Sequence, residues 1–204
     1  ETRLQAAQRL SESADAAGAQ GLFVLLRDPA IDEQRRMGLA VSLAVRRGAE
    51  LLEAFVALLK DPAVPALLRL QTAGVLAVRR EAPLKARLLE LSADAGLGQD
   101  LRAALCAGLS EQRGVGEALD AGLKQGMIEL VRDEQVSLNL RSRLLRGLAL
   151  SQDTQALGFV LGLLEEGQNQ LQPFVIGVLT STLGRYQGAE RDRISAALAK
   201  HQAQ

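Results

Sequence analysis

Four aspartates, Asp28, Asp61, Asp94 and Asp133, are each followed eight residues later by an arginine: Arg36, Arg69, Arg102 and Arg141. The steps between successive pairs are 33, 33 and 39 residues, so one unit is copied along the chain. A unit of that size cannot bury its own apolar face, and copies of it gain stability by stacking on their neighbours. Other landmarks keep the same register. Ala40 steps to Ala73, Cys106, Leu145 and Val178, while Leu43 steps to Leu76, Leu109, Leu148 and Ser181, which marks the core stripe of a first helix. A second helix carries Leu52, Phe55, Val56 and Leu59 at i, i+3, i+4 and i+7, and the series returns as Leu157, Val160, Leu161 and Leu164.

Composition agrees with helices. Apolar residues make up 48% of the 204 and aromatics only 2%, so a core must be built from Leu, Ala and Val, as in helix-on-helix packing. No segment alternates apolar and polar with period two, which leaves strands without support. The reading is an all-α chain of ten to twelve helices in antiparallel pairs. Its units fall at about 1–27, 28–60, 61–93, 94–132, 133–165 and 166–204, within a single domain spanning 1–204. Asp28-Pro29 and Asp61-Pro62 predict an N-cap followed by a proline preset for the first helical turn. Gly48 after Arg47, and Gly114 after Arg113, predict first-helix ends. The six extra residues of the 39-residue unit fall between Arg113 and Asp133. That puts them in the second helix or the turn before it, around Gly114 to Gly126, and predicts a longer or kinked helix there.

The segment from Asp28-Pro29 through Arg35-Arg36-Met37-Gly38-Leu39-Ala40-Val41-Ser42-Leu43-Ala44 resembles the HEAT repeat, with its Asp-Pro turn, arginine and small-residue helix. The resemblance covers nearly the whole chain. It implies a right-handed α-solenoid of about six two-helix repeats, with first helices on the convex side and second helices lining a concave, partner-binding side. It also implies a ladder of hydrogen bonds and ion pairs between neighbouring units, formed by Asp28, Asp61, Asp94 and Asp133 with Arg36, Arg69, Arg102 and Arg141. Arg3 falls in the arginine register, and Phe174 replaces the arginine in the last unit, so the ladder is expected to stop before it.

The ends of the array differ. Glu190 and Arg193 stand where Leu157 and Val160 stand one unit earlier, giving the polar outer face of a terminal capping unit. The aspartate that should precede Arg3 is missing, yet Leu4, Ala7 and Leu10 keep the internal pattern. Two expectations follow: a chain that continues on the N-terminal side, or an irregular first unit. A start at Glu1 fits a trimmed segment and a processed protein equally.

Little in the chain points to chemistry. The one histidine, His201, sits where a catalytic base would lie on a fraying tail, and one histidine cannot build a histidine-rich metal site. The paired His-Glu motifs with which some HEAT-repeat enzymes hold iron are absent. Cys106 shares its register with Ala40 and Ala73 and reads as a buried structural thiol. Gly114-Val115-Gly116 follows a helix rather than a strand and reads as an interhelical turn, not a phosphate loop. No catalytic residue, metal or cofactor is expected. Arg46, Arg47, Arg79, Arg80, Arg113 and Arg185 recur near first-helix ends, where cations stabilise helix C-termini by ~0.3–1 kcal/mol each. With 24 basic and 24 acidic residues the net charge is zero, which disfavours a nucleic-acid partner. No run approaches the ~20 apolar residues of a bilayer span, so membrane insertion is not expected; the compartment is left undecided, with the cytoplasm slightly favoured.

The outward ridge of the second helices remains. Ala54, Arg87, Gly126 and Phe159 are equivalent positions, as are Ala57, Glu90, Glu129 and Gly162, and Glu53, Ala86, Gln125 and Gly158. Glu53, Arg87, Glu90, Gln125, Glu129 and Phe159 are the candidate partner-binding residues, with Phe159 the aromatic anchor. The alternative is a solvated mixed-charge face with the ring tucked beneath a neighbouring helix. The expected function is a non-enzymatic scaffold or adaptor that binds a protein partner on the concave face. The rival readings are a HEAT-repeat enzyme or enzyme subunit of the chromophore-lyase type, and a nucleic-acid backbone binder along the arginine edge.

Overall fold

The computed structural model describes residues 5, 16–44, 50–79, 81–111, 118–167 and 170–202. Among the described residues there are eleven α-helices and no strand. They are α1 (Ala16–Leu26), α2 (Glu33–Ala44), α3 (Glu50–Lys60), α4 (Ala66–Ala77), α5 (Ala82–Ala93), α6 (Gln99–Glu111), α7 (Ala121–Arg132), α8 (Leu138–Ala149), α9 (Thr154–Glu165), α10 (Gln172–Thr182) and α11 (Gly188–Gln202). A short 3-10 turn, Leu183–Arg185, links the last two. The chain divides into two compact units, 1–91 and 92–204.

In the first unit α1 packs on α2 and α3, α2 on α4, and α3 on α4. Its core is aliphatic except where Phe23 of α1 meets Phe55 of α3 edge-on, the ring centroids 5.5 Å apart. In the second unit α6, α8 and α10 pack in succession, and α7, α9 and α11 form a second row. The core stripe follows the register read from the sequence. Ala40, Ala73, Cys106 and Leu145 are buried, and so are Leu43, Leu76, Leu109 and Leu148. Val178 is only half-buried and Ser181 is exposed, because α10 is the last helix of its row.

The turns entering α2, α4, α6 and α8 share one hydrogen-bond pattern. The Oδ1 atoms of Asp28, Asp61, Asp94 and Asp133 accept from the N–H two residues on, at Ala30, Ala63, Gly96 and Gln135, each at 2.9 Å. Their main-chain oxygens accept from Ile31, Val64, Leu97 and Val136, all four of which are buried. The helix starts two residues further along, at Glu33, Ala66, Gln99 and Leu138. Asp28 and Asp61 are therefore not the helix N-caps expected from Asp-Pro. Each side chain is committed to its own Asx turn, and the proline lies inside that turn. On α2 the cap is Asp32, whose Oδ1 accepts from the Arg35 N–H at 3.0 Å. On α4 it is Pro65, with no side-chain bond.

The long unit does not contain a longer second helix. With 12 residues, α7 matches α5 and α9. The turn before α7, the other place expected for the six extra residues, falls largely outside the described residues. Residues 112–117 lie outside the described residues, as does Gly48. Within the second unit α8 comes close to its neighbours at Gly147. A Cβ there would stand 2.8 Å from Met127 Cε of α7 and closer still to Ser110 Oγ of α6.

Candidate functional site

The exposed ridge of the second helices brings several of the expected residues together within each unit. In the first, Arg87 of α5 reaches Glu53 of α3 through Nη2 (3.2 Å) and Nε (3.3 Å), and bonds Glu90 one turn along its own helix. Glu90, then Glu53, hold the guanidinium above its ordinary pKa, although solvent screens all three groups. In the second unit Gln125 Nε2 donates to Glu129 Oε1 at 3.0 Å on α7. Phe159 of α9 is half-buried, and the Arg132 guanidinium lies 5.2 Å from its ring centroid. The ring is thus neither an open aromatic knob nor a core residue, but a platform roofed by a cation.

Two of the expected ladder residues, Asp61 and Arg102, bond partners outside that set. Asp61 Oδ2 accepts from Arg27 Nε at 2.7 Å. The Ala63 N–H first, and Arg27 second, hold its carboxyl below the usual range, with Arg69 a smaller influence. Arg102 Nε donates to the Ser92 carbonyl at 3.1 Å, near the end of α5, where cationic groups are favoured. The Nε atoms of Arg36, Arg69 and Arg141 are buried and have no hydrogen-bond partner among the described residues. Two longer ties start from the residue just before a turn aspartate: Arg27 with Asp61, and Arg132 Nη2 with Glu166 Oε1 at 3.9 Å, both 34 positions apart. Phe174 is 38% exposed, and Arg3 lies outside the described residues.

Arg132 and Glu166 also edge a cavity of about 510 Å³ in the second unit, lined further by Val131, Glu134, Arg141, Leu163, Gln170 and Leu171. Arg141 is only 8% exposed, and among the described residues its one hydrogen-bond contact is a 3.5 Å approach of Nη2 to Gln170 Oε1. Of these lining residues only Arg141 stands out in the sequence reading, and there it belongs to the ladder. One signal was available: Glu166 follows Asp133 by 33 residues and so occupies the turn-aspartate register.

Elsewhere the titratable groups are occupied by structure. Burial pushes the Cys106 thiol up to about 11 despite a hydrogen bond to Ser92, so it is protonated at neutral pH and a poor nucleophile. Asp153 caps α9 through the Ala156 N–H and pairs with Lys124 at 2.8 Å, and Lys124 is the main reason its carboxyl is held low. His201 approaches Gln172 at 3.4 Å. Glu190 accepts from Thr154 at 3.0 Å, and Arg193 is exposed. Arg79 pairs with Glu81 at 2.8 Å and Arg185 is exposed. Arg46, Arg47, Arg80, Arg113 and Gly114-Val115-Gly116 lie outside the described residues. Among the described residues no group of three or more His, Cys, Asp or Glu side chains could hold a metal ion, and no helix is long and apolar enough to cross a membrane. No protein-family model, curated protein or solved structure matches the chain.

Proposed function

We propose that the chain is a HEAT-like α-solenoid of about six two-helix units that acts as a non-enzymatic scaffold, holding a protein partner along the ridge of its second helices. The observation that carries this reading is the turn shared by Asp28, Asp61, Asp94 and Asp133, with the same bonds and the same helix start in each. Ties between side chains 32 to 34 positions apart add support: Arg87 with Glu53, Arg27 with Asp61, and Arg143 Nη2 with Glu111 Oε1 at 3.0 Å. An array of this kind presents a long face of regularly spaced side chains, which suits an extended protein surface better than a small substrate. On that face Phe159 under Arg132 pairs an aromatic with an arginine, the residue types that dominate interface energies.

The reading is tested with a photo-cross-linking residue at Gln125 and a second variant carrying it at exposed Thr180 of α10. Extracts from the source cells should give a discrete adduct at position 125 and none at 180. With that partner purified, Phe159→Ala should weaken binding by ~2 kcal/mol or more with little change in melting temperature. Leu161→Ala, in the buried stripe, should cost ~2–5 kcal/mol of stability through the cavity it leaves. Equal destabilisation by both substitutions would assign the ring to the fold and remove it from the interface.

A further inference from the structure

We infer that the cavity beside Arg141 is a binding site for a carboxylate carried on an apolar body. An arginine side chain is always charged, and burying that charge without acceptors is costly. Arg141 is 8% exposed, and among the described residues its Nε has no partner and its Nη2 has only the 3.5 Å approach to Gln170. Arg102, in the same register, shows how such a guanidinium is satisfied from within, through Nε to the Ser92 carbonyl. The Nε atoms of Arg36 and Arg69 are orphaned as well, but Arg141 is the one that lines this cavity of about 510 Å³. The missing acceptor therefore has room to come from outside. A planar guanidinium fork is matched by the two oxygens of a carboxylate.

The other charges decide between anions. Arg132, Arg141, Glu134 and Glu166 line the cavity with two charges of each sign, and Arg132 already stands over Phe159 and 3.9 Å from Glu166. The lining is therefore neutral before a ligand enters: a carboxylate adds one uncompensated negative charge and a phosphate dianion two, and the smaller excess favours the carboxylate. The apolar wall of Val131, Leu163 and Leu171 then favours a hydrocarbon body next to the carboxylate. Two sources supply that chemistry: a free aliphatic acid, or the chain end of a peptide with an apolar last residue.

Heteronuclear NMR titration of the intact chain tests the assignment with hexanoate, hexanamide, inorganic phosphate, and an acetylated tetrapeptide ending in leucine as either the free acid or the amide. Hexanoate or the peptide acid should shift the Arg141 side-chain Nε–H and neighbouring amides saturably, while the amides and phosphate should bind at least tenfold more weakly. Saturation by hexanoate alone identifies a small-acid site, and saturation by the peptide acid identifies a chain-end site. Because Arg141→Gln could disturb packing, the decisive variant is Gln170→Glu, at an exposed position, which supplies a carboxylate to Arg141 from within. It should lower affinity at least tenfold and raise the melting temperature. No saturable shift with either acid, or affinity unchanged in Gln170→Glu, would overturn the assignment.

Discussion

Tyr186 shows how one side chain can close an element. It is 2% exposed, and its hydroxyl donates to the carbonyl of Ala149, at the last residue of α8. Burial, reinforced by Glu190 and Asp153, pushes its pKa up to about 12, against 10 for the free phenol. The folded chain thus holds the proton more tightly than the unfolded one. Its contribution to stability is complete below pH 10 and is lost as pH rises from 10 towards 12. Denaturation followed against pH should show this alkaline loss, and Tyr186→Phe should remove that step while costing about 1 kcal/mol at pH 7 for the lost hydrogen bond. Arg141 and Arg132 mark the limit of residue-scale reading. A spacing of eight identifies Arg141, but whether its guanidinium meets an acceptor depends on side chains from α7, α8, α9 and the segment before α10, which no local spacing encodes.

The packing of α8 against α6 and α7 depends on Gly147, which leaves no space for a methyl group. Gly147→Ala is expected to lower stability by ~1–3 kcal/mol by forcing the helices apart, although alanine is the better helix former, and chemical denaturation would measure it. At Gly158 of α9, with nothing within 4 Å of the added carbon, the same substitution should be neutral or stabilising. The buried faces of these helices were legible in the sequence. Burial at period 3.6 repeats in register, so Leu43, Leu76, Leu109 and Leu148 point to one another through their numbers alone. Helix starts were not. Asp-Pro has the same composition whether it caps a helix or closes an Asx turn, and the choice depends on the buried residue three positions on, Ile31 or Val64, which is held beneath the turn. The longer helix expected from the six extra residues is absent, since α7 has the same 12 residues as α5 and α9, and the preceding turn, the other expected place, falls largely outside the described residues.

For the whole molecule, the stacking proposed here has a direct physical readout. A compact globule of 204 residues has a radius of gyration of about 17 Å, and a single array of six hairpins must exceed it. Small-angle scattering should give a larger radius, with a pair-distance distribution skewed to long distances. A symmetric distribution near the compact value would exclude the array while leaving the helices intact. The four Asx turns have a consequence for how such a chain folds. All the bonds that define each turn close within four residues, from the aspartate to Ile31, Val64, Leu97 or Val136. The reversal of direction into α2, α4, α6 or α8 can then form before any distant segment arrives. The loop-closure entropy that slows folds built from long-range pairs is largely avoided, and assembly can begin at several points along the chain at once.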